Sequence, residues 1–71
     1  MKKQILISGM SCHNCVRHVK EALEEVNGVS DIQVNLSENK AVIEVTDQVT
    51  DFILIDAVEK AGYEVTAIFR A

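Results

Sequence analysis

Apolar residues recur along this chain with two periods that give way to one another. Over Gln4–Ser8, Ile5 and Ile7 fall on one side and Gln4, Leu6 and Ser8 on the other, which predicts a strand. The spacing then becomes helical. From Cys15 onward, Cys15, Val16, Val19, Ala22, Leu23 and Val26 form one apolar stripe, opposed by Asn14, Arg17, His18, Glu21, Glu24 and Glu25. Asn27-Gly28 should stop this helix, because glycine accepts the left-handed conformation that a helix end requires. Alternation returns over Val29–Leu36, with Ile32, Val34 and Leu36 inward and Asp31, Gln33 and Asn35 outward. The polar turn Ser37–Lys40 leads into Ala41–Val45, where Ala41, Ile43 and Val45 share a face, so the two runs predict a hairpin. A second helix is expected from a Thr50 cap to Ala61, stopped by Gly62, with Leu54, Ala57, Val58 and Ala61 buried. Phe52, Ile53 and Ile55 widen its apolar stripe beyond what one buried face accommodates. A last strand covers Glu64–Phe69.

This order, β-α-β-β-α-β, is the split βαβ arrangement. Right-handed crossovers and a polar outer sheet face point to an α+β, ferredoxin-like sandwich. It has a four-stranded antiparallel sheet with both helices on one side. The loop after the first strand and the loop at Gly62-Tyr63 then meet at one end, which makes Tyr63 a neighbour of whatever the first loop carries. Residues 1–71 contain no linker or low-complexity stretch and read as one domain.

The first loop carries both cysteines of the chain, in Gly9-Met10-Ser11-Cys12-His13-Asn14-Cys15. Thiols at a helix start feel unpaired backbone N–H groups and the positive end of the helix dipole, both of which favour thiolate. Two adjacent thiolates form a soft site suited to Cu(I) and related metals. Two unrelated small core residues would be a poor use of the only two thiols.

Composition narrows the class further. A chain with 48% apolar and 25% charged residues is globular, and no run approaches the roughly 20 apolar residues of a membrane span. Met1-Lys2-Lys3 leads straight into the first strand without a signal-peptide core, so a cytoplasmic location is expected, where thiols stay reduced. A net charge of −4, with neither a basic tract nor an aromatic platform, argues against nucleic-acid binding.

These residues together resemble the heavy-metal-associated domain family, and within it the small bacterial copper chaperones. The likeness covers nearly the whole chain. It rests on Gly9-Met10-Ser11-Cys12-His13-Asn14-Cys15, on Asn27-Gly28-Val29 and on Gly62-Tyr63. It implies a carrier, not an enzyme, that binds one Cu(I) through Cys12 and Cys15 and passes it to a copper-transporting P-type ATPase or that pump's metal-binding domain. It also implies that Met10 packs beneath the loop and that Tyr63 lies near the metal. Ser11 stands where zinc-transporting relatives often place an acidic residue, which favours copper. The chain departs from the bacterial pattern at Asn14, where a histidine is common, and has His13 one place earlier.

Alternatives remain open at this stage. The same module occurs within transport ATPases, although Met1 and Ala71 lie close to the terminal strands and favour a free-standing protein. Mercury or zinc would also take the dithiolate. A thiol oxidoreductase is disfavoured, since thioredoxin-like folds need a cis-proline beside the motif and this chain has no proline. The apo form is expected to be a monomer, with a metal-bridged dimer open to the loaded form. His13 as a third ligand is disfavoured against a solvated side chain, and His18 is expected on the outer surface of the first helix. Finally, Arg17 and Lys20 precede Glu24 and Glu25 on that helix, the reverse of what its dipole favours. With Lys60, they are expected to form a positive rim beside the thiols.

Overall fold

The computed structural model describes residues 1–70, so Ala71, the last residue of the expected domain, lies outside the described residues. The elements are β1 (Lys2–Ser8), α1 (His13–Glu24), β2 (Val29–Asn35), β3 (Lys40–Val45), α2 (Asp51–Lys60) and β4 (Glu64–Arg70). All strand pairs are antiparallel, in the order β2-β3-β1-β4. α1 packs against β2, α2 against β4, and the helices against each other, so both cover the same sheet face.

The core is built from the alternation read in the sequence. Ile5 and Ile7 of β1 and Ala41, Ile43 and Val45 of β3 point inward, where Val19 and Leu23 of α1 and Leu54 and Val58 of α2 meet them. Truncating a large member of such a cluster typically costs about 2–5 kcal/mol. On α2, Phe52 and Ile53 are exposed and Ile55 is half-buried, so the surplus apolar residues spill onto the surface.

Four local features differ from the sequence reading. α1 begins at His13 instead of Cys15, because the Cys12 side chain itself supplies the cap. β2 carries an irregularity between Ser30 and Gln33, where Asp31 takes a positive φ of 50°. Acidic and amide side chains tolerate that region better than most, and a bulge twists the edge strand away from further pairing. The outer sheet face is less polar than expected. Leu6, Val42, Ala67 and Phe69 share it with Gln4, as the registers Gln4↔Val42, Gln4↔Phe69 and Leu6↔Ala67 require. A second irregularity between Leu6 and Ile7 leaves Thr66 unpaired in β4, and its hydroxyl donates to the Leu6 carbonyl at 3.3 Å.

The turn after α1 is tightly fixed. Gly28 has φ +96°, and a Cβ there would sit 2.6 Å from Thr46 Oγ1 and 2.9 Å from Val49 Cγ2. Only glycine fits both the backbone and the gap. Among the described residues, no helix is long and apolar enough to cross a membrane.

Candidate metal centre

The loop between β1 and α1 is held at both ends. Gly9 breaks the strand with φ +96°, and Met10 is anchored in the core with 6% of its surface exposed. Met10 thus packs beneath the loop as the family resemblance implied. Cys12 follows in an extended conformation and caps α1, its sulfur accepting the Cys15 backbone N–H at 3.3 Å. Cys15 lies one turn in, half-buried against the core, while Cys12 is exposed.

The two sulfurs are 2.8 Å apart. At that distance they share a proton, one as thiol donor and the other as thiolate acceptor. Cys15 is the acceptor. Its pKa falls from 9.0 to about 6, first through the hydrogen bond from Cys12, then through Tyr63 and the Ser11 backbone, with burial opposing. The pair therefore carries a thiolate at neutral pH, as the helix-start position led us to expect.

Tyr63 reaches the loop from the other side of the domain. The last turn of α2 closes through the Gly62 N–H to the Glu59 carbonyl at 3.0 Å and the Tyr63 N–H to the Val58 carbonyl at 3.3 Å. Gly62, at φ +99°, then turns the chain into β4 and delivers Tyr63 to the thiol end. Its ring lies over Gly9, with Cδ1 3.7 Å from where a Cβ on that residue would be. The Cys15 sulfur beside it, by hydrogen bonding, raises the Tyr63 pKa from 10.0 to about 12.

One neighbour of this cluster is absent from the sequence reading. His18 Nδ1 lies 3.5 Å from the Tyr63 hydroxyl, so this residue is on the surface, as expected, but not idle. The signal was present in the spacing, since residues three apart on a helix share a face, and His18 follows Cys15 by three. His13 is exposed at the helix start. Among the described residues, no third His, Cys, Asp or Glu joins the two thiols in a metal-sized cluster.

The positive rim is weaker than its residue list implied. Arg17 pairs with Glu21 at 3.4 Å and Lys60 with Asp56 at 3.0 Å, each within its own helix. Among the described residues, Lys20 is the cation of the three left without an ion pair.

The heavy-metal-associated domain model matches residues 4–64. The chain is 43% identical over 65 residues to the copper chaperone CopZ of Staphylococcus epidermidis, covering 90% of this chain and 96% of that protein. It is 40% identical over 57 residues to the mercuric reductase of Shewanella putrefaciens, covering 80% of this chain but 10% of that protein. A third relative, the probable copper-transporting ATPase PacS of Synechocystis, is 40% identical over 57 residues, 80% of this chain and 8% of the ATPase. The solved N-terminal domain of PacS superimposes with a TM-score of 0.88 at 33% identity, covering 99% of this chain and 98% of the domain. The family match spans the thiol loop, both helices and the start of β4, and the chain belongs to the heavy-metal-associated domain family.

Proposed function

We propose that this domain is a cytoplasmic carrier that binds one Cu(I) through Cys12 and Cys15 and delivers it to the metal-binding domain of a copper-transporting P-type ATPase. The observation that carries the reading is a preformed pair of thiols, 2.8 Å apart at a helix start, which no third His, Cys, Asp or Glu joins among the described residues. Two soft thiolates complete a two-coordinate Cu(I) site, whereas zinc would have half of its tetrahedral shell.

Capture and release follow from the asymmetry of the pair. Cys15 offers the first thiolate, and Cys12 loses its proton as the metal arrives. With metal–sulfur bonds of about 2.3 Å, a near-linear unit spans roughly 4.6 Å, so the sulfurs must part. The exposed Cys12 is the one free to move. A two-coordinate ion is open to a third thiolate from a recipient. In the exchange one metal–sulfur bond forms as the Cys12 bond breaks, and no electron changes hands. In this reading the apo form is a monomer, and a second copy is another source of the incoming thiolate.

The similarity to a segment of a mercuric reductase supports a second reading, in which Hg(II) is the cargo. A transfer assay separates the two. Cu(I)-loaded protein is mixed with the metal-binding domain of a copper ATPase, and the components are separated and assayed for metal. The carrier reading expects Cu(I) to redistribute within the mixing time. Retention of all Cu(I) by the donor, with ready transfer of Hg(II) to a dithiol acceptor, would support the mercury reading instead.

A further inference from the structure

We propose that Asn27-Gly28 is a site of spontaneous deamidation, and that the isoaspartate formed there unfastens the turn between α1 and β2. The Gly28 backbone nitrogen attacks the Asn27 side-chain carbonyl carbon. A bond forms between that nitrogen and Cγ, the Cγ–Nδ2 bond breaks, and ammonia leaves with the proton of the Gly28 N–H. Water then opens the cyclic imide at either carbonyl. One opening leaves aspartate. The other leaves isoaspartate, whose main chain runs through the former side chain and is longer by a carbon atom. Nothing is oxidised or reduced.

The fold leaves this asparagine open and holds the others. Asn27 and Gly28 are both exposed, and glycine has no side chain to shield its nitrogen. Among the described residues, the Gly28 N–H donates to no backbone acceptor, so no hydrogen bond is lost when it attacks. Asn35 differs on each count. Its Nδ2 donates to Glu38 at 2.9 Å, its Oδ1 accepts from Ser37 Oγ at 2.8 Å and from the Glu38 N–H at 3.1 Å, and Leu36 follows it. Asn14 lies within α1, and the Cys15 N–H after it is engaged by the Cys12 sulfur. Asn39 is fixed by its own N–H to the Leu36 carbonyl and by the Ile7 N–H to its carbonyl, with Lys40 next. The turn at Gly28 cannot absorb a longer main chain. Its carbonyl accepts the Thr46 N–H at 3.0 Å, and a Cβ on it would lie 2.6 Å from Thr46 Oγ1. The new carboxylate also joins Glu24 and Glu25 at the end of α1, where the helix dipole disfavours negative charge.

Ageing of the reduced, metal-free protein at neutral pH, followed by peptide mapping with mass detection, tests the site. A synthetic peptide covering residues 24–30 gives the rate without a fold. Asn27 should convert before Asn14, Asn35 and Asn39, at a rate within about tenfold of the peptide's, a barrier difference of about 1.4 kcal/mol. Asn27→Gln should remain unmodified and keep its denaturation midpoint through the same incubation. Asn27→Asp supplies the charge without the longer main chain. Its midpoint should fall between those of the parent protein and the isolated isoaspartate form. Asn27 intact in the folded protein after the peptide has converted would overturn the proposal. So would earlier conversion of another asparagine, or an isoaspartate form as stable as Asn27→Asp.

Discussion

The sulfur of Cys12 accepts a hydrogen bond from the backbone N–H of Cys15 at 3.3 Å, so one cysteine caps the helix that carries the other. The motif spacing is therefore a folding device as well as a chemical one. A residue that caps a helix through its side chain stands two or three positions before the N–H it accepts, and C-x-x-C provides the second spacing.

Cap and ligand roles separate by substitution. Cys12→Ser keeps a capping acceptor, whereas Cys12→Ala removes it at a typical cost of about 1 kcal/mol. Chemical denaturation of the reduced protein should rank Ser above Ala in stability. Both variants should lose tight metal binding. Equal stabilities would show that the sulfur contributes nothing to the helix start.

The depressed Cys15 pKa links folding to pH. The unfolded chain keeps that proton up to its ordinary 9.0, while the folded chain releases it at about 6. Between those values the unfolded state binds more protons, so stability rises with pH. The contribution is fully present above 9.0 and is lost as pH falls through about 6. Denaturation midpoints of the reduced apo protein should climb across this window, and Cys15→Ser should flatten the rise. A slope unchanged in Cys15→Ser would assign it to other groups.

Gly28 is a prediction about the scaffold. A methyl there meets Thr46 Oγ1 at 2.6 Å, and the backbone holds φ +96°. Gly28→Ala should destabilise the domain by more than about 1 kcal/mol, because strain and overlap act together. Wild-type stability in that variant would contradict the packing of this turn.

Docking is expected to depend on Lys20 more than on Arg17, whose guanidinium already pairs with Glu21. Lys20→Glu should slow Cu(I) transfer to an ATPase domain at low salt and flatten its salt dependence, with little change in Cu(I) affinity. Arg17→Gln should have the smaller effect. The reverse order would remove Lys20 from the docking face.

The element order and the inward residues were legible because period-2 and period-3.6 patterns report which face is buried. Ile5, Ile7, Val19, Leu23, Ile43, Leu54 and Val58 all occupy the interior. The position of Tyr63 near the thiols followed from topology alone. The start of α1 was misjudged because periodicity does not register a cap made by a cysteine side chain. The bulges at Asp31 and Thr66 depend on cross-strand register, which a single strand's pattern does not contain. The same holds for His18, whose partner is 45 residues away. The weakened rim reflects i,i+4 pairing, which takes up Arg17 and Lys60 locally.

Whether Cys12 and Cys15 together hold one Cu(I) is decided by titrating the reduced protein with Cu(I) against a competing chelator, with Zn(II) in parallel. One Cu(I) per chain is expected, with displacement of zinc by copper and loss of tight binding in both Cys12→Ser and Cys15→Ser. Wild-type Cu(I) affinity in either variant, or zinc retained through the copper competition, would contradict it.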